Sequence, residues 1–194
     1  MTKNIRVIAA LAAAIGVGLA GCSNQEPPAA PVALEPDHDH GPPSSVEVPA
    51  LPGLPEPFAD VDQYDAGEVM DAAVHAVFAW EPATDASIRD AVVRARPLLD
   101  ERYFERAEQS FVALAPVTGA EWDRWADAGA TTRVRATETN DAHPPDKQAA
   151  RARVWDVEVD VLDRDGQTIA TKNFAVYATV TLMGVWRLSD LAVR

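Results

Sequence analysis

The clearest pattern along the chain is a strict alternation of apolar and acidic residues in its C-terminal part. Between positions 155 and 161 four apolar residues alternate with three acids, in the order Trp155, Asp156, Val157, Glu158, Val159, Asp160, Val161. Because successive side chains of a strand point to opposite faces, this alternation predicts a half-buried strand with one acidic face. A second stretch repeats the apolar spacing and places on one face Phe174, Val176, Ala178, Val180 and Leu182.

A turn signal joins these two strands into a hairpin. Asp165-Gly166 is typical of two-residue type I′ turns, in which Gly supplies a positive φ. A turn at this point pairs Val157 with Phe174 and Trp155 with Val176, so the apolar faces of both strands coincide. The register therefore supports the hairpin independently of the turn residues.

Shorter strands flank the hairpin. Met183-Gly184 predicts a turn into a final strand, Val185–Val193, and Thr131–Thr137 predicts a short first strand. The loop 140–149, which contains Pro144-Pro145, joins the first strand to the hairpin and is expected to be mobile.

Helical spacing dominates between residues 64 and 128. Asp65 followed by Glu68 is typical of a capping box, and apolar residues then recur at helical spacing at Met70, Val74, Val77 and Phe78. A second helix is predicted from about Asp85 or Ser87 to Pro97, a third over 101–112, and a short helical turn over 121–127.

The first residues have the order of an export signal. Lys3 and Arg6 precede an apolar run that ends in Leu19-Ala20-Gly21-Cys22. This order predicts a secretory signal peptide over 1–21, since the run is shorter than the ~20 apolar residues of a membrane span. The four closing residues resemble the lipobox of bacterial lipoproteins, and an ordinary signal with a chance Cys is the alternative. The resemblance implies acylation at Cys22, with palmitate-type chains, and a location on the outer side of the cell membrane.

A Pro-rich acidic segment follows Cys22. Residues 23–59 contain ten of the 15 prolines, six acids, and neither Lys nor Arg. Such a segment is extended, and at ~3.1 Å per residue it would reach roughly 100 Å. A spacer of tuned length and plain disorder are both consistent with this composition. The predicted organisation is therefore a signal at 1–21, a lipidated Cys and spacer at 22–59, and one domain at 60–194.

Charge and composition exclude several classes of partner. The formal net charge is −13, and removal of residues 1–21 with Lys3 and Arg6 makes it −15. Because nucleic acids and anionic lipid head groups are bound through bases, neither is an expected partner, and the lipid on Cys22 would hold the protein at the membrane. Cys22 is the single Cys, so no disulfide forms within one chain. No phosphate-binding loop or nucleophile elbow is present, and no cofactor is predicted.

Helices first and an antiparallel sheet afterwards predict an α+β domain, with the helices on one face of a curved sheet. The closing strand 184–191, Gly-Val-Trp-Arg-Leu-Ser-Asp-Leu, resembles the end of the nuclear transport factor two-like (cystatin-like) fold. The layout is also similar to mammalian-cell-entry-associated proteins of actinobacteria and to extracytoplasmic domains of conjugation and type IV secretion subunits. These resemblances imply a cone-like fold and a role without catalysis. Those relatives usually carry a membrane helix, whereas this chain carries a lipobox.

Candidate chemical groups are few. His38-Asp39-His40 has metal-ligand residue types, but a solvated linker is the favoured interpretation because the motif lies in the Pro-rich segment. Acid–base chemistry in the cone would draw on His75, Tyr103, Tyr177 and Asp190, whose spacing does not demand catalysis.

Two sets of residues have ordinary structural interpretations. The row Asp156, Glu158 and Asp160 is favoured to be a solvated sheet face opposite Arg133 and Arg135, rather than a cation or partner surface. A further three residues are predicted to belong to the core or its rim rather than to a sugar platform: Trp80, Trp122 and Trp125.

The leading hypothesis is a lipid-anchored, non-enzymatic binding or scaffold module of an envelope export or conjugation system, with an envelope protein as partner. The alternative is a carrier of a small apolar ligand, in a cone pocket lined by Phe78, Trp155, Val176 and Trp186. An acid–base enzyme is the third hypothesis. A cavity at these four residues would favour the carrier, and a filled core with an exposed apolar patch would favour the scaffold.

Overall fold

The computed structural model describes residues 51–194, in which helices precede a four-stranded antiparallel sheet. This arrangement confirms the predicted α+β class. The helices are α1 (Ala66–Phe78), α2 (Ile88–Arg94), α3 (Glu101–Ala107) and α4 (Gly119–Asp127), with two short 3-10 helices at Arg96–Leu98 and Glu108–Ala113. The strands are β1 (Thr131–Glu138), β2 (Ala150–Leu162), β3 (Thr168–Leu182) and β4 (Trp186–Val193), and they pair in this order across the sheet.

The predictions for the signal at 1–21, for Cys22 and for His38-Asp39-His40 lie outside the described residues. No helix within residues 51–194 has both the length and the apolar character needed to cross a membrane.

Side-chain caps fix where α1 begins. The Asp65 carboxylate accepts hydrogen bonds from the backbone N–H groups of Gly67 and Glu68, as expected for an N-cap. The Glu68 carboxylate accepts from the N–H of Asp62 instead of that of Asp65, so the reciprocal half of the predicted capping box reaches one turn further back. These bonds fix the entry of the chain into the helix.

The β2–β3 hairpin has the predicted register. Trp155 pairs with Val176 and Val157 pairs with Phe174, and all four are buried. The turn between the strands differs from the predicted two-residue turn. Gly166 has the expected positive φ, 76°, but its N–H donates to the Asp163 carbonyl at 2.9 Å.

This bond makes Arg164 and Asp165 the corners of the turn, with Gly166 following as the left-handed residue of a three-residue loop. The cause lies in Asp163, whose Oδ1 accepts the N–H groups of both Asp165 and Gln167 at 2.9 Å. An Asx-type side chain thus selects the longer turn.

The core lies between the helices and one face of the sheet. α1 contributes its whole apolar stripe, and its last residue, Phe78, stacks on Phe174 of β3 with ring centroids 5.6 Å apart. Trp80, Trp122 and Trp125 form a connected aromatic group beside this pair. Their assignment to the core is confirmed.

The packed unit begins earlier than residue 60, where the sequence placed its boundary. Leu54 is buried in the core cluster, and Phe58 packs against that cluster. The Gln63 side chain donates to the Pro52 carbonyl at 3.0 Å. Pro-rich composition was the signal for a spacer, and it does not distinguish free chain from chain that wraps a core.

Candidate functional site

An apolar groove lies between α1 and the edge strand β1. Its volume is about 760 Å³. The floor and walls are formed by small or apolar residues of three elements, with ionisable side chains at the margin: Pro57, Phe58, Val61, Ala72, Ala76, Ala79, Thr132 and Val134, then Glu56, His75, Glu81 and Arg94. Most of its exposed lining is apolar, so it is a candidate contact surface.

The backbone of β1 is free on the side away from β2. The Thr139 N–H donates to Val154 of β2, whereas the Ala130 carbonyl faces away and accepts the Ala83 N–H. The N–H and C=O of one strand residue point to the same side, and successive residues alternate. Even-numbered residues of β1 therefore direct their backbone groups outward, and these include Val134, Ala136 and Glu138.

The start of the β1 edge is covered by the segment that follows α1, and the rest of the edge is not. The Thr132 hydroxyl donates to the Trp80 carbonyl at 2.9 Å, and Ala83 caps Ala130. Among residues 51–194, no backbone or side-chain acceptor is bonded to the outward N–H groups of Val134 and Ala136. β1 thus offers an unpaired row of donors and acceptors beside the apolar groove.

Basic side chains occupy the other face of β1. Arg135 contacts the carboxylates of Glu158 and Asp160 on β2, the latter at 2.8 Å. The pKa of Asp160 is lowered mainly by the Thr171 hydroxyl, which donates a hydrogen bond to its carboxylate at 2.8 Å. The neighbouring charge of Arg135 lowers this pKa further. Arg133 is exposed and forms no salt bridge within residues 51–194. The predicted pairing of the acidic row with the arginines is confirmed for Arg135, but the row is not solvated throughout, because Asp160 is buried.

The opposite edge strand, β4, is covered. The Asp100 N–H donates to the Leu188 carbonyl at 2.8 Å, and Leu99 bridges Leu188. Tyr103 of α3 packs over the same edge, and burial, with the nearby charge of Asp190, raises the pKa of Tyr103 to about 12. The recess between Val77, Tyr103 and Leu188 leaves no room for a water molecule.

A second depression, a polar cleft of about 360 Å³, lies at the N-terminal end of α1. Trp155 and Trp186 line it together with Arg151 and Arg153. Both guanidinium groups contact Asp146, and Arg153 followed by Arg151 lowers the pKa of Asp146 to about 2. Arg153 also contacts the Glu138 carboxylate at 3.1 Å, so two carboxylates offset the two arginine charges of this cleft.

The four residues predicted to line a cone pocket separate into two pairs. Trp155 and Trp186 line the polar cleft, whereas Phe78 and Val176 are fully buried and do not line it. Phe78 of α1 stacks on Phe174 of β3. The Nε1 of Trp155 is buried without a hydrogen-bond partner within the described residues.

The candidate acid–base residues do not converge. His75 lies at the apolar groove, where its Nδ1 approaches the carboxylate of Asp71 at 3.5 Å. Tyr103 and Asp190 lie at the β4 edge, and Tyr177 is exposed on β3. Within residues 51–194, no group of three or more His, Cys, Asp or Glu side chains is placed to hold a metal ion.

Sequence reasoning missed the groove and the open edge. The sequence did indicate that Arg133 and Arg135 share the face of the acidic row, because residues two apart in a strand point to the same side. The sequence could not reveal which edge of the sheet the helices leave uncovered, since that depends on where each helix packs.

No family model, curated protein sequence or solved structure matches this chain.

Proposed function

We propose that this protein is a lipid-anchored extracytoplasmic lipoprotein whose α+β domain is a non-enzymatic protein-binding module of an envelope export or conjugation system. The proposal includes the nuclear transport factor two-like character of the fold and an anchor on Cys22. The partner is a protein of the same envelope system, held by surface contacts.

The apolar groove beside the open edge of β1 is the observation that carries the binding role. Two of the four residues expected at a cone pocket, Phe78 and Val176, are fully buried, and Phe78 packs against Phe174. Apolar surface is instead available outside the core, along Ala72, Ala76 and Val134. A filled core with an external apolar groove favours contact with a macromolecule over storage of a small ligand.

The anchor is supported by the sequence around Cys22. Metabolic labelling of the producing cell with an alkyne fatty acid tests it directly, with Cys22→Ala as the matched control. We expect label on the parent chain and none on the variant. A parent chain that takes up no label would disprove the lipid anchor while leaving the binding role open.

The binding role is tested by a photo-crosslinking amino acid placed in the full, membrane-associated chain. At Ala76, which lines the groove, we expect a defined protein adduct. At Tyr177, which is exposed on β3, we expect none. An Ala72→Arg change beside the label should remove the adduct. Equal adducts at Ala76 and Tyr177, or none at either, would refute a groove-specific partner.

A carrier function is the second candidate, favoured by the polar cleft with Trp155 and Trp186. Trp155 and Trp186 give the cleft aromatic surface, and the N–H groups of Arg151 and Arg153, whose charges are already offset, suit a neutral ligand that is partly polar, in contrast to the purely apolar ligand first expected. Small molecules extracted from the purified protein and added back to the parent chain should then change its tryptophan fluorescence. The Arg153→Met variant should show a weaker change. An unchanged spectrum would argue against the carrier.

A further inference from the structure

We propose that β1 binds an extended segment of a partner protein as a fifth, antiparallel strand, and that this segment alternates apolar with acidic residues. The inference rests on the proposed protein-binding function and specifies the chemistry of the partner. It is argued from the free backbone edge, the groove beside it and the arginines on the opposite face.

The free backbone edge supplies the hydrogen bonds. Val134 and Ala136 direct both N–H and C=O away from β2, and within residues 51–194 nothing pairs with these amide groups. Addition of a strand to such an edge derives its affinity from main-chain hydrogen bonds. An antiparallel strand is the better fit because parallel pairs are slightly less stable per residue.

The groove receives every second side chain of the added strand. Residues opposite Val134 and Ala136 point to the helix side of the sheet, as those two side chains do. On that side lie Ala72, Ala76 and Phe58, which are small or apolar. Apolar side chains are therefore favoured at these alternate positions.

The remaining side chains of the added strand lie beside Arg133 and Arg135. Arg135 is already held by acids of β2 on one side, and Arg133 is exposed without an ion pair in the described residues. Opposite charges across neighbouring strands stabilise a pair, and like charges destabilise it. Acids at these positions would give Arg133 an ion-pair partner and would give Arg135 a further one.

The same arginines disfavour a second copy of this chain as the occupant. Two β1 strands paired about Val134 place Arg133 of one copy opposite Arg135 of the other. Pairing about Arg135 places the two Arg135 side chains face to face. Both of these registers oppose like charges, which is a known device against edge-to-edge pairing, and a register about Ala136 places Arg135 opposite Thr137, where it gains no acidic partner.

The test uses the full chain and a defined probe, a capped Glu-Val-Glu-Val-Glu-Val-Glu peptide, in a calorimetric titration. The matched control peptide has Lys at each Glu position. Because the Val residues would pair with the outward groups of β1, N-methylation of the central Val amide should abolish binding. N-methylation of a neighbouring Glu amide, which faces away, should leave it unchanged.

Two variants test the edge and the charge separately. Val134→Pro removes an outward N–H that the β1–β2 ladder does not use, so the fold is expected to persist while peptide affinity falls about tenfold or more. Arg133→Glu should lower affinity for the Glu peptide about fivefold and raise affinity for the Lys peptide. Melting curves establish that each variant is folded, and Val134→Thr is the control for the first.

Each outcome bears on the inference. Binding of the Glu peptide that is lost on Val methylation and with Val134→Pro supports it. No binding, or equal binding of both methylated peptides, overturns it. If the Ala76 adduct of the membrane experiment persists in Val134→Pro, the protein-binding function stands and strand addition fails.

The other occupants have their own signatures. A dimer that Val134→Pro dissolves would assign the edge to a second copy. Slow hydrogen exchange at Val134 and Ala136 in the monomeric full chain without peptide would assign it to the chain's own N-terminal segment. Either result overturns the assignment to a separate partner.

Discussion

The two edges of the sheet are treated in opposite ways. β4 is covered by α3 and the 3-10 helix before it, which supply a hydrogen bond from Asp100 to Leu188 and the packed ring of Tyr103. β1 receives comparable cover only at its start, where Ala83 and the Thr132 side chain are engaged. Beyond that point the backbone groups of β1 that face away from β2 are unpaired among the described residues, and arginines line one face of the strand.

This difference shows that cover and charge are two solutions to the same hazard. An exposed edge invites pairing with other chains, and proteins limit this by covering the edge or by placing charges on it. Covering β4 adds buried surface to the fold. Charging β1 adds little to stability but leaves its outward backbone groups unpaired among the described residues.

The largest expected effect is a loss of stability at the covered edge. Leu188 is fully buried, so Leu188→Ala should reduce the free energy of unfolding by about 2–5 kcal/mol. Val134 is only partly buried at the open edge, and Val134→Ala should cost about 1 kcal/mol or less. Chemical denaturation of both variants makes the comparison, and similar losses would show that the edges are equally packed.

The next effect concerns the residue that begins the cover of β4. The Asp100 side chain caps α3 by accepting the Tyr103 N–H at 2.9 Å. Asp100→Ala should therefore cost about 1 kcal/mol, as loss of an N-cap does. Hydrogen exchange should accelerate in α3 before it does in β2. Uniform acceleration across the domain would mean that α3 does not open separately.

Removal of the Arg133 and Arg135 charges should change the self-association of the protein more than its free energy of unfolding. In the double variant Arg133→Val, Arg135→Val the surface ion pair of Arg135 is lost, and the cost should be about 1 kcal/mol or less. Sedimentation velocity should show more self-association than in the parent chain. The double Lys variant keeps both charges and serves as the control. A double Val variant that associates no more than the parent would show that charge does not guard β1.

The smallest effect is a pH dependence of the loop that follows β1. The folded-state pKa of Asp146 is about 2, which is below the ordinary Asp value of ~3.9. Because folding lowers this pKa, the contribution of Asp146 is complete above the unfolded value and is lost as the pH falls towards about 2. Stability measured from neutral to acid pH should decline less steeply for Asp146→Asn than for the parent. Asp123→Asn, an exposed acid on α4, should follow the parent curve.

The hairpin could be predicted because its information is local. Alternation from Trp155 to Val161 and a single glycine, Gly166, fixed both the faces and the register. The turn type was mispredicted because one side chain, Asp163, binds two backbone amides and shifts the corners by one residue. A dipeptide signal does not include that third residue.

The groove could not be predicted because its walls come from distant parts of the chain. Phe58, Ala76 and Val134 meet only after α1 has packed against the sheet. Trp155 and Phe78 were likewise expected in one pocket, since both are apolar and belong to facing elements. Both side chains are buried, but Trp155 also lines the polar cleft, whereas Phe78 lies in the core away from it.

Gln63 gives the N-terminal segment a mechanical connection to the sheet. Its side-chain amide donates to the Pro52 carbonyl, its side-chain oxygen accepts from Arg187 at 2.8 Å, and its own carbonyl accepts the Trp186 N–H at 2.9 Å. Tension applied at residue 51 would therefore be transmitted through Gln63 to the start of β4 before it reached α1. In single-molecule pulling from residue 51, the first rupture of the Gln63→Ala variant should occur at a lower force than that of the parent chain. An unchanged rupture force would show that the load is carried by other contacts. A domain held at one end by a tether would then bear its load at β4, and the open edge of β1 would carry none of it.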